Sequence, residues 1–397
     1  MTPTQRGLAA ASTVLSVLLI TGTLAPEAMA AAPPTASGTA FPVDGPAARP
    51  SGAPLAERPL PDARAARALS AASSPPTDVA VVPGEFEPVG KTLIAWALND
   101  QDSADRKAYF VNLIRAASAN SRTVVVGDHP GAVDDARTAL ADAGVDTSEI
   151  DFVDSSLNSW WIRDYGPIAA RTTDGGTRFI STRYHSDRPQ DDAFATSLGA
   201  LWNVPVTRAD LGTEGGNFLS DGAGGCLVTN AILSNPYNVT NHVTAEDVQT
   251  MFRSLYGCKV TTFLEPIKGE VTGHVDMFAA FTSNNDVLVG AYSPSDDPDN
   301  AAVLDDDAAR LTAAGYQVHR VPMPAHNDGV FRSYTNSLAV NGAVLVPIYT
   351  DDTTYEETAL DAYRAAFPDR QIVTIDATAI IKTRGAVHCT TMTIADH

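Results

Sequence analysis

The chain has 397 residues, 44% of them hydrophobic, and carries 47 acidic against 27 basic side chains for a formal charge of -20. A body this acidic repels phosphate backbones, which argues against nucleic acid as a partner and favours cationic ligands such as guanidinium groups. Three cysteines are too few for a disulfide scaffold or a structural zinc site.

Residues 1–30 read as an export signal. Arg6 gives a positive start, 8–24 are mostly apolar, and Ala28-Met29-Ala30 is a small-x-small cleavage site. A membrane anchor is the competing reading, but Ser12, Thr13, Ser16, Thr21 and Thr23 are polar for a lipid-facing span. No later segment approaches the ~20 apolar residues of a spanning helix, so the mature protein is expected to be secreted, soluble and free of membrane contact. Residues 31–78, dominated by Ala, Pro, Gly and Ser, read as a disordered tether or propeptide. The first 78 residues hold five basic and five acidic side chains, so the whole formal charge of -20 falls on the remainder, 79–397, which is expected to fold as one domain.

Within that domain a unit of hairpin, helix and strand recurs. The first copy has strands at 165–170 and 178–184, a helix at 191–202 and a strand at 205–208. The second has 217–219 and 226–232, helix 245–256 and strand 259–263. The third has 275–281 and 287–292, helix 301–314 and strand 317–321. The fourth has 335–340 and 344–348 around the Asn341-Gly342 turn, then helix 355–366 and strand 371–375; Asn-Gly between alternating apolar residues is the strongest short hairpin signal. A fifth unit is split, its first strand at 387–394 and the rest at 92–97, 105–118 and 122–126. Five copies closed by both termini predict a five-bladed pseudo-symmetric α/β propeller, a single domain without an exposed edge between its first and last units. An open α/β sheet is the alternative, against which the hairpins count because they pair antiparallel.

Polar residues recur at the hairpin mouths: Asp164, Asn217, Asp276, Asn336 and Cys389, spaced 53, 59, 60 and 53 apart. Rotation-related units would bring them to one pocket. Two carboxylates, Asp164 and Asp276, can grip a guanidinium through paired charge-assisted hydrogen bonds. Cys389 can then attack its central carbon as thiolate, with His274 as general acid and base, releasing ammonia and leaving a urea group after hydrolysis of a covalent thiouronium. The scheme needs no metal and no organic cofactor. Cys226 and Cys258 flank one helical unit and could pair, which would leave Cys389 as the free thiol. Each residue also has a plainer role: Cys389 as a small core residue, His274-x-Asp276 as a metal pair, Asn336 as a turn cap, Trp160 and Trp161 as core. His388 alternates to the opposite face of its expected strand and reads as structural. The functional rivals are a metal-dependent hydrolase built on Glu214, His274 and Asp276, and a guanidine-binding protein without turnover. Nothing in the sequence sets the oligomeric state.

Six motifs carry a resemblance. Glu85-Phe86-Glu87-Pro88, Trp161-Ile162-Arg163-Asp164-Tyr165-Gly166-Pro167 and Glu214-Gly215-Gly216-Asn217 are followed by Gly273-His274-Val275-Asp276, Ser333-Tyr334-Thr335-Asn336-Ser337 and Gly385-Ala386-Val387-His388-Cys389-Thr390. In this order they resemble the Porphyromonas-type peptidylarginine deiminases and bacterial agmatine deiminases of the guanidino-group-modifying pentein superfamily, whose fold is a five-bladed α/β propeller. The resemblance implies Cys389 as nucleophile, His274 as general acid/base and Asp164 and Asp276 as guanidinium ligands. It also implies that Asn336 lines the site, Trp161 flanks the substrate, and Glu214 and Asn217 shape the site from behind. The stretch 184–192 looks like the segment that offers two arginines to a peptide carboxylate; Arg188 matches the second, and Ser186 replaces the first. The expected substrate is therefore arginine in peptides or proteins, converted to citrulline, with agmatine as the alternative.

Overall fold

The computed structural model of the chain describes residues 76–99 and 101–395; the expected export signal and residues 31–75 of the expected tether lie outside them. Asp78, placed by sequence at the end of the tether, belongs to the fold. Its carboxylate pairs with Arg178 at 2.6 Å and its carbonyl accepts from Thr173 N at 2.7 Å.

The strands form five separate sheets, and no strand is shared between two of them. Each sheet contains an antiparallel pair followed, through a helix, by a parallel strand. Val89–Trp96 pairs antiparallel with Met392–Ala395 and parallel with Arg122–Gly127, so the last strand of the described chain joins its second and third strands in one sheet. Ile168–Thr172, Thr177–Arg183 and Val206–Gly212 follow the same order. So do Leu219–Ser220, Gly225–Thr229 and Val260–Leu264. Ala279–Phe281, Asp286–Ala291 and Gln317–Pro322 make the next sheet, and Leu338–Val340, Ala343–Ile348 and Gln371–Asp376 the last. Elements without a signal in the sequence include strand Val79–Val81, helix Ala132–Asp142, strand Ile150–Asp154 and the short helices Pro236–Thr240 and Thr378–Ile381.

Local chemistry explains the elements that the sequence made plain. Helix Ala245–Tyr256 starts at a capping box, Thr244 Oγ1 accepting from Asp247 N at 3.2 Å while Asp247 Oδ2 accepts from Thr244 N at 2.9 Å. It ends at Gly257, whose φ of 71° suits the left-handed cap, and it buries Val248, Phe252, Leu255 and Tyr256 on one face. The Cys226–Cys258 disulfide fastens this helical crossover to its sheet. Asn341, at φ 45°, turns the hairpin between Val340 and Ala343. Its side chain also accepts from Val89 N at 2.8 Å and donates to Val89 O at 2.9 Å, tying one sheet to the next.

The first strand of several hairpins is shorter than its sequence suggests. Strands expected at 275–281, 335–340 and 387–394 are observed as Ala279–Phe281, Leu338–Val340 and Met392–Ala395. Just upstream the chain coils into short turns, including Ile162–Tyr165, Gly215–Asn217 and Val275–Met277. The cause is side-chain amides that replace ladder partners. Asn217 Oδ1 accepts from Thr229 N at 3.0 Å and Val275 N at 3.2 Å. Asn336 Oδ1 accepts from Ala386 N at 3.0 Å and Cys389 N at 3.2 Å. These turns carry the polar residues of the site.

Strands from all five sheets also border a cavity of about 850 Å3, lined largely by apolar side chains such as Ile168, Leu219, Phe281, Ala339 and Met392. Glu85, Glu87 and Arg163 are its charged members. None of the helices among the described residues is long and apolar enough to cross a membrane.

Candidate active site

Cys389 is the free cysteine, buried in the turn that precedes Met392–Ala395. Its Sγ lies 3.2 Å from Asn336 Nδ2 and 3.5 Å from Asp276 Oδ2. Asn336 thus holds both the backbone and the sulfur of the nucleophile candidate. A Cβ on Gly385 would fall 2.4 Å from the Trp161 ring and 2.8 Å from Cys389 Cβ, so only glycine lets that indole lie against the cysteine.

Asp164, His274 and Asp276 converge on Gly216. A Cβ there would sit 2.6 Å from His274 Nδ1, 2.9 Å from Asp164 Oδ1 and 3.0 Å from Asp276 Oδ2. Gly216 N also donates to Asp164 Oδ1 at 3.2 Å. His274 Nε2 is bound by Glu214 Oε2, and Glu214 Oε1 pairs with His185 Nε2 at 2.7 Å. Glu270 braces the loop before His274, accepting from Gly273 N at 2.8 Å and Thr272 Oγ1 at 2.6 Å. Two buried atoms at this junction have no hydrogen-bond partner: His274 Nδ1, a donor, and Asp276 Oδ1, an acceptor. The cavity beside them measures about 320 Å3 and is lined by Trp161, Asp164, His185, Glu214, Thr272, His274, Arg384 and Cys389.

Charges at this junction shift one another. Burial opposes the imidazolium of His274, but Asp164, Glu214 and Asp276 outweigh it and push the group up to about 10. Burial raises Asp164, and the nearby carboxylates of Glu214 and Asp276 raise it further against the pull of His274. Burial would raise Glu214 as well, yet hydrogen bonds and charge from His185 and His274 hold it well below the usual carboxylate range. Burial, Asp276 and Asp164 together push the Cys389 thiol well above its ordinary value. These surroundings favour a neutral thiol. A cation bound between the two aspartates would offset that bias.

Not every residue singled out by sequence reaches this cavity. Asp164, His274, Cys389 and Trp161 line it, and Asp276 and Asn336 touch the sulfur. Asn217 instead braces the turn that carries Asp276. Arg188 is not among the lining residues; it caps helix Pro189–Trp202, with Nη1 3.4 Å from the Tyr184 hydroxyl. The arginine that does line the cavity is Arg384, held at φ 75°, a conformation L side chains rarely adopt. A non-glycine residue ahead of Gly385 gave no sequence hint of that strain. His388 also departs from expectation: the chain turns at 387–390, so strand alternation does not apply, and its Nδ1 faces Asp276 Oδ2 at 2.7 Å. Among the described residues no cluster of three or more metal-ligand side chains is suited to a metal ion.

Comparison with known proteins points the same way as this geometry. Residues 81–394 match the family model described as Porphyromonas-type peptidyl-arginine deiminase. A relative from Selenomonas ruminantium is 26% identical over 371 residues, covering 81% of this chain and 97% of that protein. Another from Streptomyces avermitilis is 28% identical over 351 residues, covering 80% and 98%. Both carry the name "Putative agmatine deiminase". Among solved structures, the agmatine deiminase of Enterococcus faecalis superposes with a TM-score of 0.72 at 23% identity, covering 82% of this chain and 99% of that one. That likeness shows a shared mixed α/β fold.

Proposed function

The chain belongs to the Porphyromonas-type peptidyl-arginine deiminase family, hydrolases of C–N bonds in linear amidines, and on that footing we propose a mechanism through Cys389. The observation that carries it is two buried atoms without a hydrogen-bond partner, His274 Nδ1 and Asp276 Oδ1, on residues of which the first lines the small cavity shared with Cys389 and the second touches its sulfur. A guanidinium satisfies the acceptor and neutralises the aspartates, while the imidazolium donor is ready for a departing nitrogen. With the cation in place the thiol gives its proton to solvent, which returns it at the end of the cycle, and the thiolate attacks the central carbon. His274, still protonated, gives its Nδ1 proton to the leaving amine, which departs as ammonia. The neutral imidazole then takes a proton from water, the hydroxide displaces the sulfur, and a urea group is released with the thiol restored. Glu214, bound to Nε2, keeps the His274 ring oriented throughout and favours its charged form before each proton donation.

For the substrate we place agmatine first. Relatives named as agmatine deiminases align over nearly their full length, and the acidic side chains Asp164 and Glu214 lining the small cavity suit a cationic alkylguanidine. Arg384 favours a second reading, an arginine-terminated peptide whose carboxylate its guanidinium would pair with. Export is supported by the apolar N-terminal segment and by the Cys226–Cys258 disulfide, a bond at home in oxidising compartments. We also arrange the five sheets as blades about a pseudo-fivefold axis, because their strand order repeats and the C-terminal strand Met392–Ala395 completes the sheet of Val89–Trp96.

The test is an ammonia and ureido-product assay on agmatine, free arginine, and peptides with internal or C-terminal arginine. Agmatine as the best substrate supports the first reading. If C-terminal arginine wins, Arg384→Ala should raise its KM about tenfold and Arg188→Ala should not. No ammonia from any of them would end the deiminase reading.

A further inference from the structure

Behind the reacting groups lies a second chain of buried charges, of which only Asp276 enters the mechanism above. Asp276 Oδ2 is 2.7 Å from His388 Nδ1, and His388 Nε2 is 2.7 Å from Glu85 Oε2. Glu85 Oε1 pairs with Arg163 Nη1 at 2.5 Å, and Arg163 Nε donates back to the carbonyl of His388 at 3.3 Å. His388 and Asp276 are almost fully buried, at 2% and 1% exposure. Ionised carboxylates only accept hydrogen bonds, so a histidine between two of them carries a proton on each ring nitrogen. Burial and Arg163 oppose that charge, and Glu85 and Asp276 hold the group above its ordinary value all the same. Burial would raise Glu85, yet Arg163 and His388 keep it well below the carboxylate range.

We propose that His388, charged between Glu85 and Asp276, is a positioning residue that turns Asp276 Oδ1 to the substrate and shields the Cys389 thiolate from Asp276 Oδ2. The geometry gives both halves. Asp276 has two oxygens; His388 occupies Oδ2 and leaves Oδ1 without a protein partner. That same Oδ2 lies 3.5 Å from Cys389 Sγ, where a thiolate would meet a like charge. A cation bound directly to Oδ2 reduces that repulsion at the point where it acts. Facing His388 are Asp276, Glu85 and Arg163; around Cys389 stand Asp276, Asp164 and the groups of the catalytic cavity. Packing alone would also tie the loop holding Glu85 to the C-terminal turn, so the test must read charge.

The kinetic half of this inference rests on the deiminase reading, whereas the thiol half does not. With Cys226 and Cys258 bridged, alkylation by iodoacetamide reports on Cys389 alone. Rates are compared on the rising limb of the pH profile for wild type, His388→Gln and His388→Leu, with melting curves to confirm folding. The glutamine side chain keeps a donor toward Asp276 but carries no charge. We expect alkylation at a given pH to slow about tenfold or more in both variants, equivalent to an upward thiol shift of about one unit. KM should stay near wild type in His388→Gln and rise in His388→Leu. An unchanged alkylation profile in folded His388→Gln overturns the proposal, even if turnover is lost. Should the wild type release no ammonia, the deiminase reading fails while the alkylation series still decides the role of His388.

Discussion

Two glutamates in this protein each bridge a pair of basic groups, and they border different cavities. Glu214 joins His185 to His274 at the catalytic cavity; Glu85 joins Arg163 to His388 at the larger, mostly apolar one. The two cavities meet along neighbouring residues, since Arg163 lines one and Asp164 the other, as do Gly215 and Glu214. The difference lies in what each histidine has left to offer. His274 keeps Nδ1 without a hydrogen-bond partner at the cavity that Cys389 also lines, while both nitrogens of His388 are taken. The same carboxylate device thus prepares a proton donor in one place and a fixed charge in the other.

Four changes break or sharpen this contrast. The largest effect belongs to the sulfur: Cys389→Ser should cut ammonia release about a thousandfold or more while leaving the melting temperature near wild type. Turnover close to normal would remove the nucleophile from the scheme. Gly216→Ala places a methyl among His274 Nδ1, Asp164 Oδ1 and Asp276 Oδ2, and should cost about a hundredfold in kcat/KM by displacing the cation. Steady-state kinetics on the folded variant check this.

A smaller effect concerns pH. The imidazolium of His274 must be protonated to act, and its group is pushed up to about 10, so the alkaline limb of activity should fall as pH rises through that value. Glu214→Gln removes a charge that raises His274, so the fall should move to lower pH, with kcat down about tenfold. A pH–rate profile with an unmoved alkaline limb would dissociate Glu214 from His274. The smallest effect on chemistry is expected in the other cavity. Phe281→Ala should lower stability by about 3 kcal/mol through lost packing yet leave kcat near wild type, as read by denaturant melts and turnover together.

Much of this molecule was legible along the chain where a signal is local. Helix Ala245–Tyr256 has its capping box and terminal glycine within fourteen residues of sequence, 244–257, and its ends were read without error. Asn341-Gly342 announces its own hairpin, and the spacing of Asp164, Asn217, Asp276, Asn336 and Cys389 follows the repeat of sheets. Strand Val79–Val81 was not legible, because it pairs with Ile168–Thr172 and has no partner near it in sequence. Motif likeness points Arg188 at the substrate; the structure instead sets its guanidinium against the Tyr184 hydroxyl, and Arg384 stands at the cavity.

By itself, the sequence determined which reactive groups exist and that they recur at the start of equivalent units, because periodicity and turn chemistry act over a few residues. Only the tertiary structure decided which ring nitrogen is occupied and which is left open. His388 meets Glu85 across 303 positions of chain, and His274 meets Glu214 across 60. Proton affinity in a buried site is set by whatever charge lies within a few ångströms, and nothing in local sequence encodes that distance.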